Sequence, residues 1–199
     1  MAKKKRFYIL QQNCYFKGVC CLIPTKKVKE FMYDGKEAKG FENMTVTLPN
    51  DGKSIYLPMH SCPGACEVVS KEFKELVEKY IPEGYPIEFI PVRAVSEVYG
   101  ERQYYFMHFL KYEDAIILDK SKVIYHEEDG SYTVCVPVID ASKVRNLHIF
   151  KIKSVCGLTI SGELRLALIK NNLKTSLMVN DKRFFIDPED PENPDKVNG

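Results

Sequence analysis

The residues best suited to chemistry lie in one short segment, His60-Ser61-Cys62-Pro63-Gly64-Ala65-Cys66. Thiolates and imidazoles are good zinc ligands, and Cys20 and Cys21 could complete a four-ligand set. Structural zinc sites usually contain two closely spaced ligand pairs. Adjacent side chains of a strand point to opposite faces, so Cys20 and Cys21 could not both reach one ion. We therefore predict that no metal ion is bound and that the chain folds without one.

The same segment could instead supply a cysteine nucleophile. Cys62 or Cys66 would need a histidine base, for which the candidates are His60, His108 and His148. Cys66 alone comes shortly before a predicted helix start, where the pKa of a thiol falls. Cysteine more often fills apolar space in a core. A small metal-binding or thiol-dependent enzyme centred on His60, Cys62 and Cys66 is therefore retained as the alternative function.

Other polar residues give weaker indications of chemistry. Glu113, Asp114 and Asp119 fall near predicted strand ends, where turn and helix-start roles are commoner than acid–base catalysis. His108 is predicted to be a sheet histidine, and His126 lies in an acidic stretch typical of a solvated turn. The sequence has no Gly-rich phosphate loop, HExxH, G-x-S-x-G or dinucleotide-binding motif. We predict no catalytic, cofactor-binding or metal-binding residues.

Size and composition bear on the class of protein. The chain has 199 residues, of which 45% are hydrophobic and 28% charged, enough to form a core without disulfides. A formal net charge of +2 argues against a dedicated nucleic-acid-binding protein. The basic start Lys3–Arg6 nevertheless leaves a nucleic-acid-binding regulator as a third hypothesis.

Cysteine usage and hydropathy predict the compartment. Seven cysteines, an odd number without regular spacing, favour reduced thiols. No apolar segment approaches the length of a membrane span. Phe7–Leu10 is too short to be the hydrophobic region of a signal peptide. A cytoplasmic protein without membrane contact is predicted.

Two segments have the pattern of amphipathic helices. The first runs from about Ser70, a good N-cap, to Tyr80, and places Phe73 on its apolar face and Lys74 on its polar face. Glu75 and Lys79 are spaced to form an ion pair. The second follows a cap at Ser161 and stops near Asn171-Asn172. Its apolar residues nearly surround it, which predicts packing on two sides: Leu164, Leu166, Ala167, Leu168, Ile169 and Leu173.

Most other apolar runs read as short strands. RFYIL, VCCLI, residues 87–94, 104–110 and 148–152 belong to this group, and Pro91 within its run indicates a sheet edge or a bulge. Two hairpins are predicted. One joins MTVTL to SIYLP across residues 49–52, and the other joins VIYH to SYTVCVPVI across Asp129-Gly130. The Lys-rich stretch Lys26–Lys39 is predicted to be a loop or a frayed helix.

These elements predict an α+β fold, a mostly antiparallel sheet with two main helices packed on it. We expect residues 1–186 to form a single domain, with a β-rich part over 1–66 and a second part over 67–177. The Pro-rich, acidic residues 187–199 are expected to form a mobile tail.

Several sequence segments are informative when their order and their residues are considered together. The first helix contributes Val69, Ser70, Phe73, Lys74 and Leu76, and the following strand contributes Tyr104, Tyr105 and Leu110. A third phrase contributes Asp140, Ser142, Lys143, Val144, Ile149, Phe150, Lys151 and Ile152. The last helix contributes Ser161, Leu164, Ala167 and Leu168.

Over residues 67–177 this series resembles a bacterial family, immunity protein family eleven, formerly a domain of unknown function. The first 60 residues show no pattern of that family. The resemblance implies a cytoplasmic, non-enzymatic protein that binds and neutralises a cognate toxin by protein–protein contact. It implies no cofactor and no catalytic residues. The sequence leaves open which toxin is bound, which surface binds it, and the oligomeric state.

Overall fold

The computed structural model describes residues 7–10, 20–29, 43–62, 67–153, 155 and 157–173. Within these ranges twelve strands form three sheets. The strands are β1 (Phe7–Leu10), β2 (Ile23–Pro24), β3 (Met44–Thr47), β4 (Met59–His60), β5 (Glu67–Ser70), β6 (Ile87–Ser96), β7 (Gly100–Phe109), β8 (Tyr112–Glu113), β9 (Lys122–Tyr125), β10 (Tyr132–Val136), β11 (Ile149–Ile152) and β12 (Leu158–Ser161). The helices are α1 (Lys26–Lys29), α2 (Lys71–Glu78) and α3 (Gly162–Lys170), with a 3₁₀ turn at Leu118–Lys120.

The largest sheet has six strands in the order β2-β3-β6-β7-β5-β4. Its centre is the β6–β7 hairpin, which pairs continuously from Ile87↔Phe109 to Ser96↔Gly100. β3 lies parallel to β6 but pairs with it only from Val92 onward. Pro91 is therefore at an edge on that side, where its missing N–H leaves no gap in a ladder. This confirms the edge position predicted from the sequence.

The second sheet has the order β1-β12-β11-β8, and β9 and β10 form a third, two-stranded sheet. β1 pairs antiparallel with β12, which joins the beginning of the chain to residues just before α3. Apart from the parallel pairs β3–β6 and β11–β8, the named ladders are antiparallel. The predicted α+β class is confirmed.

Both main helices begin at the predicted serine caps. The Ser70 hydroxyl accepts a hydrogen bond from the Phe73 N–H (3.3 Å), and the Ser161 hydroxyl accepts one from the Leu164 N–H (3.2 Å). Each cap satisfies an N–H that has no partner inside its own helix. The main core cluster draws buried side chains from both helices and both larger sheets, including the fully buried Phe73.

The packing of both helices differs from the prediction in detail. α3 contacts β1, β12 and α2. It buries Leu164 and Leu168 but leaves Leu166 62% exposed, so the expectation that apolar side chains nearly all round the helix are covered was wrong for Leu166. On α2, Glu75 pairs with Lys71 (3.6 Å), one turn earlier than the expected Lys79.

Lys74 of α2 is also placed differently from the prediction. Its ammonium lies 5.3 Å from the ring centroids of both Phe89 and Tyr105 and 2.6 Å from the Glu78 carboxylate. Its side chain is therefore largely covered rather than on an open polar face.

Several strand predictions also need correction. Residues 49–52 make a turn, in which the Asp51 carboxylate accepts bonds from the N–H groups of Lys53 and Ser54 (2.9 and 2.7 Å). The residues of SIYLP form no strand, so the predicted hairpin there is wrong, and β3 pairs with β2 and β6 instead. β5 and β12 went unrecognised because each runs without a turn into the cap of a helix.

Burial along β6 is more uneven than expected. Its first four residues are half-buried and Pro91 is exposed, whereas Val92 and Ala94 are buried. Both faces were predicted to be buried up to Arg93. The difference follows from β3, which covers only the second half of the strand.

Other predictions fall partly or wholly outside the described residues. Of the Lys-rich stretch Lys26–Lys39, only Lys26–Lys29, which form α1, are among the described residues. The expected tail over 187–199 and Cys66 also lie outside. Within the residues that the structure covers, no helix is long and apolar enough to cross a membrane.

Candidate functional site

His60, the centre of the alternative hypothesis, is held entirely by the backbone. It lies on β4 with no exposed surface. The Leu57 N–H donates to its Nε2 (2.9 Å), so the ring proton must be on Nδ1, which faces the Cys20 carbonyl at 3.3 Å. The ring of Tyr104 packs edge-on at 5.8 Å, and its hydroxyl donates to the Leu57 carbonyl (2.8 Å). Both ring nitrogens are therefore occupied.

The environment keeps His60 neutral. Desolvation by burial lowers its pKa to about 4, although the bond to the Cys20 carbonyl opposes that shift. A base poised for catalysis near neutral pH would have a pKa close to the working pH. His60 is better described as a link between β4 and the segment at Cys20.

Neither Cys62 nor Cys20 has the properties of a nucleophile. Burial raises the pKa of Cys62 to about 12, and it also raises the pKa of Cys20. Both thiols are therefore protonated at neutral pH. Cys62 and Cys20 pack with the apolar core cluster around β3 and β6, whereas Cys21 is exposed. Across the described ranges there is no group of three His, Cys, Asp or Glu side chains that could hold a metal ion.

The remaining histidines lie on separate elements. His108 is fully buried on β7. His148 lies 2.9 Å from the Ser161 hydroxyl at the start of α3 and 3.7 Å from the Glu163 carboxylate. His126 is exposed near a turn, as predicted, and its Nε2 lies 2.8 Å from the Thr133 hydroxyl. None of these contacts joins a histidine to Cys62.

Of the three carboxylates near strand ends, Glu113 has structural partners. Glu113 is buried on β8, where it accepts a hydrogen bond from the Tyr85 hydroxyl (3.0 Å) and pairs with Lys111 (3.0 Å). Burial, reinforced by Glu113, raises the pKa of Tyr85. Asp114 and Asp119 are exposed. The arrangement stabilises a loop and does not present an acid–base pair to solvent.

One pocket of about 280 Å³ lies beside the β3–β6 pairing. Its polar lining residues include Arg93, which lies 3.7 Å from Glu101, and Gln103, whose amide donates to the carbonyls of Val92 (3.1 Å) and Tyr104 (2.7 Å). These groups are already engaged with the protein itself, so the pocket offers little for a reaction.

Among the described residues, the surface best suited to bind a partner is a hairpin arm formed by residues 115–140. At its base Ile116 bridges Ile139, and the N–H of Asp140 donates to the Ala115 carbonyl (2.7 Å). Ala115 and Ile139 are buried in the third core cluster. β9 and β10 then pair from Lys122 to the turn, where Gly130 has a φ of +68° that suits glycine. The arm thus leads from the core into solvent.

Apolar side chains occupy both faces of the hairpin arm. The register places Tyr125 opposite Tyr132, with ring centroids 6.2 Å apart, and Ile124 opposite Thr133. Ile124 is 53% exposed and Tyr125 68% exposed. Leu118, at the 3₁₀ turn before β9, is 40% exposed. Three large apolar side chains on one short segment are more than the isolated exposed residues usual on a protein surface.

The ends of the hairpin arm differ in charge. Glu127, Glu128 and Asp129 are exposed at the tip. Hydrogen bonds from Ser131 lower the pKa of Asp129, and the bond from the Ser131 side chain has a larger effect than the bond from its N–H. Among the described residues none of these three carboxylates forms an ion pair with a basic side chain. Lys122, also exposed, lies further from the tip.

Among the described residues, four other places expose large apolar side chains, and each is more limited: Ile23 and Ile55, which are exposed singly, the β6–β7 turn, and α3. The β6–β7 turn exposes Val98 and Tyr99, and Tyr99 already packs against Tyr56 at 6.3 Å. The Arg102 guanidinium covers the Tyr56 ring at 4.7 Å. On α3, the large apolar side chain of Leu166 is exposed.

Comparison with known protein families identifies the family of this chain. A model described as Immunity protein family (Imm11) matches residues 26–176. The chain belongs to the Imm11 family. No curated protein matches the chain. The Imm11 match confirms the resemblance seen in the sequence. It begins at residue 26, so it also includes residues 26–60, in which the sequence showed no pattern of the family.

The Imm11 match includes the whole hairpin arm, whose exposed residues sequence reasoning did not select. The segment VIYH nevertheless indicated an exposed apolar side chain. Three consecutive apolar residues next to a tight turn cannot all face one side of a strand. In a two-stranded ribbon at least one of them must therefore face solvent or a partner.

Proposed function

We propose that this Imm11 protein neutralises a cognate toxin by binding it directly. The family match over residues 26–176 carries the proposal. Binding by contact requires an exposed surface with apolar anchors and a charged rim, and the hairpin arm provides both. We also propose that it acts in the cytoplasm and is not an enzyme, which the resemblance to immunity proteins implies.

The thiol-enzyme alternative has less support. His60 donates and accepts hydrogen bonds within the fold, and the raised pKa of Cys62 leaves it a neutral thiol. No observation favours this alternative over toxin binding.

The test is protection of cells from the toxin encoded by the adjacent gene. Cells expressing that toxin should survive when the protein is co-expressed. They should also survive with the Cys62→Ser, Cys66→Ser double variant, because contact inhibition does not need a thiol. The two proteins must first be shown to be equally soluble and equally abundant.

Two results would count against the proposal. If the unaltered protein gave no protection and bound no purified toxin, direct neutralisation would be wrong. If a well-folded double variant lost protection while the unaltered protein kept it, thiol chemistry or a metal site would replace the contact mechanism.

A further inference from the structure

We propose that the hairpin arm is the surface that docks on the toxin, with Ile124 and Tyr125 as apolar anchors and the acidic tip facing a basic region of that protein. This inference rests on the proposed function. It names the surface and the chemistry of the partner, neither of which follows from family membership.

The first argument is exposed apolar area on a thin element. An isolated two-stranded hairpin is marginally stable in water, and this one is tied to the core at its base through Ile116 and Ile139. Beyond the base, every residue from Ile124 to Ser131 is exposed. Tyr125 and Tyr132 are paired on one face and Ile124 lies on the other. A cleft that received the arm would therefore cover apolar surface on both of its sides.

The second argument is charge. Glu127, Glu128 and Asp129 form a tip of three carboxylates without ion-pair partners among the described residues. Oppositely charged surfaces accelerate encounter and select among partners. A membrane with anionic lipids or a nucleic acid would repel this tip, so a basic protein surface is the partner that fits it. A second copy of the chain would bring the same carboxylates with it.

The third argument is comparison with the other exposed apolar positions. Tyr99 packs on Tyr56, so part of its ring already has an internal partner. Leu166 stands beside Arg165, which covers the Tyr8 ring at 4.9 Å. Single exposed leucines are normal on protein surfaces. The hairpin arm combines several such residues with a tip whose three charges are all negative.

The experiment uses an inactive form of the toxin encoded by the adjacent gene and measures its affinity for purified variants. The Ile124→Ser, Tyr125→Ser double variant should bind about 100-fold more weakly, as expected when central anchors are removed. The matched control is Val98→Ser, Leu166→Ser, which removes apolar side chains of similar exposure and should change affinity by less than about threefold.

A second variant tests the charge at two exposed positions of the tip. Glu127→Lys, Glu128→Lys should slow association by about tenfold at low salt, and the difference should shrink at high salt. Because both residues are in an exposed turn, this variant keeps the proposal testable if the anchor variant folds poorly. Thermal unfolding and circular dichroism monitor the fold of each protein.

The outcomes separate the two proposals. If the unaltered protein does not bind the toxin, the proposed function fails and the docking surface fails with it. If the unaltered protein binds and both hairpin variants bind equally well, only the docking surface is wrong. If ultracentrifugation of the free protein shows a dimer that the anchor variant abolishes, and toxin affinity is unchanged, the arm pairs with a second copy instead.

Discussion

At the scale of single residues, His60 shows how the fold can make a side chain unavailable for catalysis. Its ring is enclosed, and the Leu57 N–H and the Cys20 carbonyl occupy its two nitrogens. Adding a proton would place a charge in an apolar site and break the bond from Leu57. The imidazole therefore stays neutral, and stability must depend on pH.

The protein should lose stability as pH falls because His60 resists protonation. Its folded pKa is about 4, below the 6.5 of the unfolded chain, so the unfolded state binds more protons between these values. The contribution is complete above pH 6.5 and is lost as pH falls towards 4. Its full size is about 3 kcal/mol. Urea unfolding at several pH values measures it.

The control is His60→Gln, which cannot titrate but keeps a polar side chain. Its stability should be lower at pH 7 and should vary less with pH between 6.5 and 4.5 than that of the unaltered protein. Equal pH dependence in the two proteins would contradict the assignment of this effect to His60.

Cys62 should resist alkylation in the folded protein. Burial raises its pKa to about 12, so the reactive thiolate is scarce at pH 8, and the sulfur is enclosed. Exposed Cys21 should react first with iodoacetamide, followed by mass spectrometry of the peptides. In denaturant the two should react at similar rates. Rapid modification of native Cys62 would show an accessible thiolate.

At the scale of elements, α2 is held by two buried residues, Phe73 and Val77, and by a covered cation, Lys74. Phe73 is fully buried, whereas Lys74 lies over the rings of Phe89 and Tyr105. The sequence placed these two residues on apolar and polar faces, but packing against β6 and β7 covers both. Lys71, which is well exposed, is therefore a better surface control than Lys74.

Three alanine variants of α2 should fall in a definite order of stability. Phe73→Ala should lower the free energy of unfolding by about 3–5 kcal/mol through loss of a buried ring. Lys74→Ala should cost about 1 kcal/mol because it loses ring contacts and an ion pair. Lys71→Ala should change it by less than about 0.5 kcal/mol. Denaturant unfolding gives all three, and equal losses at Phe73 and Lys71 would mean the helix is rotated.

An ion pair joins the two larger sheets. The Lys151 ammonium of β11 lies 3.0 Å from the Glu67 carboxylate of β5 and 5.9 Å from the Phe109 ring. Both side chains are largely covered by protein. Removing one partner would leave the other charge poorly solvated.

Glu67→Gln should therefore lower the free energy of unfolding by about 2–3 kcal/mol. The paired replacement Glu67→Gln, Lys151→Met should recover part of that loss because no charge is then left behind. Glu75→Gln, which breaks the exposed Lys71–Glu75 pair, is the matched control and should cost less than about 0.5 kcal/mol. If Glu67→Gln cost as little as the control, the bridge would not stabilise the sheets.

At the scale of the whole molecule, pairing of β1 with β12 joins residues 7–10 to residues 158–161. Phe7 of β1 also packs edge-on against Phe150 of β11, with ring centroids 5.4 Å apart. These contacts between distant parts of the chain support our proposal that residues 1–186 fold as one domain.

The whole chain should fold without metal. Protein purified without chelator should contain less than about 0.1 equivalent of zinc, and a chelator should not lower its melting temperature, because a structural zinc site would contribute its binding energy to folding. Elemental analysis and thermal unfolding provide the measurements. One equivalent of zinc, with unfolding on its removal, would contradict this prediction.

The sequence by itself determined the features that depend on near neighbours. Ser70 and Ser161 were recognisable as caps because each bonds to an N–H three residues ahead. The Asp129-Gly130 turn was recognisable for the same reason, since Gly130 supplies the positive φ that a tight turn requires. The order of these local phrases also carried the family resemblance.

Only the tertiary structure decided the features that depend on distant partners. β3 pairs with β6 rather than with the residues after its own turn, and the His60 ring faces the carbonyl of Cys20, which lies 40 residues away in the chain. Burial of Leu168 and exposure of Leu166, Ile124 and Tyr125 also depend on which elements arrive from elsewhere. An apolar residue type indicates only that the side chain would be more stable if a neighbouring element covered it. The tertiary structure decides whether such an element is there.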